Sequence, residues 1–459
     1  MSKNNKYIYQ IHVDKFASEG KCLIVHEGKV GLVPKVAPGD IIDVRIIKDY
    51  KNYFEAIPIK IHKSSSYRVQ PICQHYNICG GCKWQHIDYK HQLKAKKAQV
   101  EDAFLKILHL KNCIPEVIPS KKIFYYRNKL EYSFTNKRWI YEDEKNINID
   151  MRALGYHIPG RFDKIFHVDE CHLMDFYHNE VRNKIFEFSI ADNIPFYNKK
   201  THEGTLRSLI FRNNRVGDWM VIIVISEFTK KVENLFNKLI DFFPNISWNY
   251  AISNKLNDSI DGLMAVNLHG KSYLSEILDS FTFHISPFSF FQINPEQSEN
   301  IYKKMIEISD MNSDDVAWDL YCGTGTISLY AANIAKNVIG IESNAEAVQL
   351  ANKNAKINSI KNVKFIKGDV SKILENTHID KPNIIFLDPP RCGLSKDVIN
   401  IIKNLKPRTI IYLSCNAATQ ARDISLFIDD YTINFIQPYD MFPQTAHVEN
   451  LVKLTVKNQ

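Results

Sequence analysis

Short apolar runs broken by turn residues open the chain. Cys22-Leu-Ile-Val-His26, Lys29-Val-Gly-Leu-Val33, Asp40-Ile-Ile-Asp-Val-Arg-Ile-Ile47 and Tyr53-Phe-Glu-Ala-Ile57 are separated by Glu27-Gly28, by Pro38-Gly39 and by a Lys/Asp/Asn cluster. Such spacing predicts a small β-barrel over residues 1–62. Lys63-Ser-Ser-Ser66 is a polar hinge. A middle segment, 72–280, opens on a cysteine cluster and a Lys-rich helix over Tyr89–Leu110, then continues as mixed α+β. From residue 281 to 459 the rhythm changes again. Val316–Leu320, Val338–Ile341, Val363–Ile366, Ile384–Leu387 and Thr409–Leu413 alternate with helical stretches, the pattern of a doubly wound α/β sheet. Thr432–Ile436 and Leu451–Val456 are expected to close it.

The longest apolar runs, such as Trp219-Met-Val-Ile-Ile-Val-Ile225, are strand-sized and too short to span a bilayer. Met1-Ser-Lys-Asn-Asn-Lys6 has no apolar stretch behind it, so a secretory signal is not expected and a cytoplasmic address is. Charge is uneven. Residues 1–70 carry 12 Lys/Arg against 7 Asp/Glu, and residues 83–138 carry 13 against 5. Those two stretches account for more than the whole chain's net charge of +8, which suits a polyanionic partner. Tyr126-Arg127-Asn128, in the second stretch, has the residue types either to hold a phosphate or stack a base, or simply to pack.

Nine cysteines in a chain without an export signal argue for ligation or catalysis over a disulfide framework. Cys73, Cys79 and Cys82 fall within ten residues, with Gly80 and Gly81 allowing the backbone to bend around a metal. Cys171, in Val168-Asp-Glu-Cys-His172, is the best candidate for a fourth ligand. Four thiolates suit tetrahedral zinc or an iron–sulfur cluster, and the spacing differs from that of a zinc ribbon, which favours iron–sulfur.

The strand ending at Leu320 runs into Tyr321-Cys322-Gly323-Thr324-Gly325-Thr326, a short glycine turn. The next strand ends in Glu342, a carboxylate able to accept both hydroxyls of a ribose. No full pyrophosphate cradle is present, which favours a nucleoside cofactor such as S-adenosylmethionine over a dinucleotide. Asp369 ends the following strand, where it either faces the adenine or caps a helix. Asp388-Pro389-Pro390-Arg391 follows another strand, its prolines stiffening the loop. An aromatic residue usually follows such a segment in enzymes that methylate amino groups. Arg391 in its place points to a carbonyl-rich or anionic target.

Cys415 lies at the C-terminal end of the Thr409–Ser414 run, where open α/β sheets put their ligands. Glu449 lies 34 residues further on, in His447-Val-Glu-Asn450. A thiolate and a base are what methylation at uracil C5 needs. Addition of sulfur at C6 makes C5 nucleophilic, and the C5 proton must afterwards leave. Asp388 is suited to a hydrogen bond from the uracil ring nitrogen, and Arg391 to charge on its oxygen. Cys22 and Cys113 are expected to be packed or surface thiols, and Cys322 and Cys392 to lie in site loops without a role.

Taken together, these residues resemble the RNA uracil-C5 methyltransferases, and most closely the iron–sulfur subgroup that makes 5-methyluridine in 23S ribosomal RNA. The resemblance runs through the barrel, Cys73/Cys79/Cys82/Cys171, Tyr126-Arg-Asn-Lys129 and Ser286-Pro-Phe-Ser-Phe-Phe-Gln-Ile-Asn294. It continues through the glycine loop, Asp-Pro-Pro-Arg, Ser414-Cys-Asn416 and His-Val-Glu. It implies a TRAM-type, oligonucleotide-binding-like barrel and a central domain with a 4Fe-4S site, both for RNA binding. A class I Rossmann-like methyltransferase domain follows. It further implies that Gln292, Tyr321, Thr326, Glu342 and Asp388 line the cofactor site, with Cys415 as nucleophile and Glu449 as proton acceptor. Thr326 departs from relatives that carry an amide there. The implied enzyme acts on ribosomal RNA as a monomer, away from membranes. The same reaction on transfer RNA, and a non-catalytic iron–sulfur RNA-binding protein, are the alternatives.

Overall fold

The computed structural model describes residues 6–457, apart from 112, 146 and 377–379. It comprises two compact units. One contains residues 1–76, 81–123 and 383–459, and the other 77–80 and 124–382.

The first unit opens with β1 (Tyr7–His12), β2 (Lys15–Phe16), β3 (Lys21–His26), β4 (Lys29–Pro34), β5 (Ile41–Asp49) and β6 (Tyr53–Lys63). They form one sheet in the order β1-β5-β6-β4-β3-β2. Alternating positions fill its core with Ile24, Val33, Ile42, Val44, Phe54 and Ala56. Glu27 and Gly28, both at positive φ (49° and 76°), make the tight β3–β4 turn. At Gly31 a Cβ would sit 2.3 Å from the Phe54 ring, so only glycine lets the ring cross. Among the described residues the strand order leaves β1 and β2 as edges, so the expected barrel is a curled half-barrel. Three register shifts between β5 and β6 supply the bend.

Helix α1 (Tyr89–Leu108) is capped by Asp88, whose side chain accepts from Lys90 N at 3.1 Å. It stops two residues short of the predicted end because His109 turns left-handed (φ 58°). Its buried face, Gln92, Ala95, Lys96, Val100 and Phe104, keeps helical spacing but includes two polar residues.

The second unit carries β7 (Lys129–Thr135), β8 (Ala153–Ile158), β9 (Arg161–His167), α2 (Tyr177–Ala191), β10 (Leu206–Asn213), β11 (Trp219–Ile225), α3 (Lys230–Phe242), β12 (Ile246–Ile252) and β13 (Ala265–His269). Their sheet runs β13-β12-β11-β10-β7-β8-β9. All seven residues of β11 are buried, as its unbroken apolar run requires of a central strand. The hairpin β14 (Leu274–Leu278) and β15 (Phe281–Ile285) follows. After α4 (Pro295–Ile308) come β16 (Val316–Leu320), α5 (Thr326–Ala332), β17 (Asn337–Glu342), α6 (Ala345–Ile357), β18 (Val363–Lys367) and α7 (Val370–Asn376). β16, β17 and β18 pair in parallel.

The chain then returns to the first unit with β19 (Ile384–Leu387), α8 (Lys396–Leu405), β20 (Thr409–Ser414), α9 (Ala417–Ser425), β21 (Tyr431–Tyr439) and β22 (Glu449–Val456). β19 and β20 are parallel, and β22 lies antiparallel between β20 and β21. The parallel strands and intervening helices are the doubly wound α/β pattern the sequence predicts. The closing pair is longer than its apolar runs suggested, so Glu449 is the first residue of a strand and not part of a loop. No described helix is long and apolar enough to cross a membrane.

Candidate active site

In the second unit the glycine turn is held by consecutive local bonds. Tyr321 N and Cys322 N both donate to Ile341 O, at 2.9 and 3.1 Å, and Gly325 N donates to Cys322 O at 2.9 Å. Tyr321, Gly323 and Gly325 all take positive φ (67°, 54° and 82°). At Gly325 a Cβ would meet the Phe365 ring at 2.7 Å, whereas beside Gly323 nothing lies within 4 Å of that position. Gly323 N donates to Glu342 Oε2 at 3.2 Å, while Oε1 accepts from Ser343 Oγ and Asn344 N. This fixes the Glu342 carboxylate at the C-terminal edge of β17, next to the open side of the turn. The arrangement fits an adenosine ribose.

The other predicted cofactor residues of this unit are placed differently. Thr326 is buried and begins α5. Gln292 is half-buried, and its carbonyl accepts from Asn128 Nδ2 at 3.0 Å; Asn128 N donates to Ile293 O at 2.9 Å. Tyr126 and Asn128 are buried, so these two residues of the Tyr-Arg-Asn motif act in packing and in holding the Gln292 segment. Asp369 is exposed and caps α7, accepting from Ser371 Oγ and Lys372 N.

In the first unit, antiparallel pairing does what sequence distance conceals. Ser414 pairs with Asn450 across β20 and β22. Cys415 follows Ser414 and Glu449 precedes Asn450, and the Glu449 carboxylate acts on the Cys415 thiol. Buried Gln420 and Asn450 lock that register. Gln420 Nε2 donates to Tyr412 O and to Asn450 O, both at 2.9 Å, and Asn450 Nδ2 donates to Gln420 Oε1 at 2.7 Å. Losing either amide would strand buried polar groups at a cost of about 1–3 kcal/mol.

The Asp-Pro-Pro-Arg loop is tied to α9. Leu394 N and Tyr412 Oη both donate to Asp423 Oδ2 at 2.8 Å, and Arg422 Nη2 donates to Cys392 O at 2.9 Å. A Cβ at Gly393 would sit 2.4 Å from that same Asp423 oxygen, so glycine is required where loop and helix meet. Arg391 O accepts from Asn416 Nδ2 and Thr419 Oγ1, and Arg391 Nη2 lies 2.8 Å from His447 Nδ1.

Three acids act on one another here, and all are pushed toward their neutral forms. Loss of solvent raises the Asp388 carboxyl to about 7. Glu449 goes well above the usual carboxylate range, first by burial and then by the charge of Asp388, with Arg391 opposing. Burial, then Glu449, raises the Cys415 thiol to about 11, and the Arg391 guanidinium pulls it back down. Such perturbed groups in one place are the mark of a reactive site. Sequence reading missed Gln420, Asp423 and Asn450, because nothing in their local pattern separates them from surface polar residues.

Of the cysteine quartet, Cys73 and Cys82 belong to the first unit, and Cys79 and Cys171 to the second. Cys73 N donates to Gln85 Oε1 at 3.0 Å. Cys171 is buried, with Asn179 bonded to both its N and O. Burial, then Cys171 and, more weakly, Cys79, raise the affinity of the Tyr156 hydroxyl for its proton. Among the described residues, no group of three or more His, Cys, Asp or Glu side chains is arranged to hold a metal ion.

Parallel strands, a glycine turn and a carboxylate at the end of the next strand are the pattern of an S-adenosylmethionine-dependent methyltransferase. Residues 270–457 match the tRNA (uracil-5-)-methyltransferase family model. The chain is 41% identical to an uncharacterised RNA methyltransferase of Bacteroides thetaiotaomicron, over 96% of this chain and all of that one. It is 38% identical to another from Porphyromonas gingivalis, over 98% and 100% respectively. Among solved structures it is similar to the Pyrococcus abyssi tRNA (uracil-54, C5)-methyltransferase in complex with S-adenosyl-L-homocysteine. The TM-score is 0.77 and the identity 30%, covering 97% of this chain and 99% of the other. The chain belongs to the RNA uracil-C5 methyltransferase family.

Proposed function

We propose that this enzyme methylates C5 of a uridine in 23S ribosomal RNA, with Cys415 as nucleophile and Glu449 as proton acceptor. The observation that supports the chemistry is the β20–β22 register, which pairs Ser414 with Asn450 and so brings their neighbours Cys415 and Glu449 near enough for the carboxylate to act on the thiol. Cys415 gives up its proton and its sulfur bonds to uracil C6, moving the ring's electron pair toward C5 and O4. Bound S-adenosylmethionine supplies the methyl group that C5 then takes. Glu449 removes the C5 proton, and the freed pair re-forms the C5–C6 double bond and expels the Cys415 sulfur.

The shifted groups suit these roles. A carboxylate whose proton affinity is raised by burial is a strong base once ionised. Arg391 lowers the cost of the thiolate and is placed to meet charge on the uracil oxygen. Asp388, held neutral up to about pH 7, can donate as well as accept a hydrogen bond to the base. Gln292, Tyr321, Thr326, Glu342 and Asp369, together with Asp388, are proposed for the cofactor, Glu342 having the best-supported role.

A 4Fe-4S cluster on Cys73, Cys79, Cys82 and Cys171 is part of the proposal and rests on their spacing and on thiolate chemistry. Segments 1–62 and 72–280 are proposed to bind RNA, and 281–459 to carry the methyl transfer. The ribosomal reading rests on the extra cysteines and the N-terminal β-module. A second reading, transfer RNA, is favoured by the Pyrococcus abyssi relative, which matches essentially the whole chain, half-barrel included. Incubation with S-adenosylmethionine and RNA tritiated at uridine C5, ribosomal and transfer RNA supplied separately, tests both readings. Tritium release from 23S RNA alone is the expected result. Release from transfer RNA alone selects the second reading, and methyl transfer without release from either overturns the role of Cys415.

A further inference from the structure

Helix α1 turns two polar side chains into its packing face. Gln92 is 1% exposed and Lys96 0%. A packing face needs neither, and a buried ammonium is tolerated only with a partner. Both residues bond to the same stretch, the turn that runs from β21 to Glu449. Lys96 Nζ donates to Asp440 Oδ1 at 2.5 Å and to Phe442 O at 3.1 Å. Gln92 Nε2 donates to Gln444 Oε1, and Gln444 N donates back to Gln92 Oε1, each at 3.0 Å.

The turn is gripped from the cysteine-bearing segment as well. Trp84 N donates to Gln444 O at 3.0 Å, and Ala446 packs with Trp84, Ile87 and Ala95. Gln444 has φ 68°, a left-handed conformation that a non-glycine residue keeps only when its surroundings impose it. Within the turn Phe442 N donates to Asp440 Oδ1, Thr445 N to Phe442 O, and His447 N to Thr445 Oγ1. These bonds lead directly to His447, beside Arg391, and to Glu449. Helix α1 also packs against α9, the helix that begins two residues after Cys415.

We propose that Gln92, Lys96 and Gln444 are positioning residues of the uracil-C5 reaction, α1 serving as the brace that aims the Glu449 carboxylate at the C5 proton. The proposal rests on the Cys415/Glu449 reading above. It also revises what the Lys-rich helix is for. Lys96 is unavailable to RNA and half-buried Lys97 pairs with Glu116, leaving Lys90, Lys94 and Lys106 as its exposed lysines, the last paired with Asp102.

The test is the step at which a variant stalls. Gln92→Ala and Gln444→Ala are assayed for RNA and cofactor affinity, kcat, thermal midpoint, and the fraction of enzyme trapped at steady state as a covalent RNA adduct on a denaturing gel. Misaim of the base slows proton removal and leaves the earlier sulfur addition and methyl transfer in place. The expected result is therefore a kcat lower by about ten- to a hundredfold, both affinities retained within about twofold, and a raised adduct fraction. Gln92→Glu, which cannot return the lost N–H donation, is expected to rescue little. An unchanged kcat overturns the proposal, as does a fall in RNA affinity and thermal midpoint with no added adduct. Glu449→Gln, run alongside, separates the two claims. Adduct in Glu449→Gln but not in the glutamine variants overturns the brace alone, whereas no adduct in any variant overturns the base assignment with it.

Discussion

The glycine turn of the second unit and the thiol–carboxylate pair of the first are built in opposite ways. The turn draws on neighbours. Tyr321 to Thr326 follow one another in the chain, and their bonds reach to Ile341 and Glu342 at the end of the adjacent parallel strand and to Asn354 on the helix after it. The Cys415–Glu449 pair depends on strand register. A one-residue slip of β22 against β20 would turn Glu449 to the other face of the sheet. Amides from three elements, Gln420, Asn450 and the Gln92–Gln444 couple, guard against such a slip. The glycine turn is thus written locally, and the thiol–carboxylate pair is written across the sheet.

If that contrast is right, the two regions fail independently. The largest effect is expected from Cys415→Ala, which should cut methyl transfer by at least about 10⁴-fold and leave S-adenosylmethionine affinity, measured by calorimetry, unchanged. Glu449→Gln should lower turnover by about 10²–10⁴-fold and accumulate a methylated covalent adduct. Full activity without adduct in that variant would remove the carboxylate from the chemistry. Gly325→Ala breaks the other region, because φ 82° and a Cβ 2.7 Å from Phe365 strain the turn. About 1–3 kcal/mol of strain should appear as weaker cofactor binding, while alkylation of Cys415 proceeds at the wild-type rate. Loss of both together would mean that the two regions are one.

The smallest effect concerns pH. The Asp388 carboxyl keeps its proton to about pH 7 when folded, against 3.8 for the ordinary group. Between those values the folded chain binds more protons than the unfolded one, so this contribution to stability is full below about pH 4 and falls as pH rises toward 7. The slope is at most about 1.4 kcal/mol per pH unit. Glu449, also raised, acts in the same direction. Asp388→Asn should flatten the dependence of the urea midpoint on pH over that range, and an unchanged slope would mean that Asp388 titrates normally.

Much of this was legible beforehand because it is local. Short apolar runs between turn residues announced β3 to β6, the apolar run of Trp219–Ile225 had the length of a strand, and the strand-helix rhythm after residue 281 announced the doubly wound pattern. Cys415 and Glu342 could be singled out because a polar residue at the end of an apolar strand stands out. Gln92 and Lys96 could not. In a helix reading Tyr-Lys-His-Gln-Leu-Lys-Ala-Lys-Lys they look like their exposed neighbours, and only the packing partner decides which lysine is buried. The extension of β22 back to Glu449 was equally hidden, since its first two residues are polar and their pairing is with distant strands.

By itself the sequence determined which segments become strands and helices, where glycine must stand, and which side chains have the chemistry to add to a ring or take a proton. Those choices depend on backbone sterics and on the apolar period, both properties of a few adjacent residues. Tertiary structure alone decided that Glu449 lies beside Cys415, that burial raises the proton affinity of three neighbouring acids, and that a Lys-rich helix lends its buried amide and ammonium to the turn before Glu449. Those are matters of register, desolvation and pairing. Each arises only when residues far apart in the chain exclude water together.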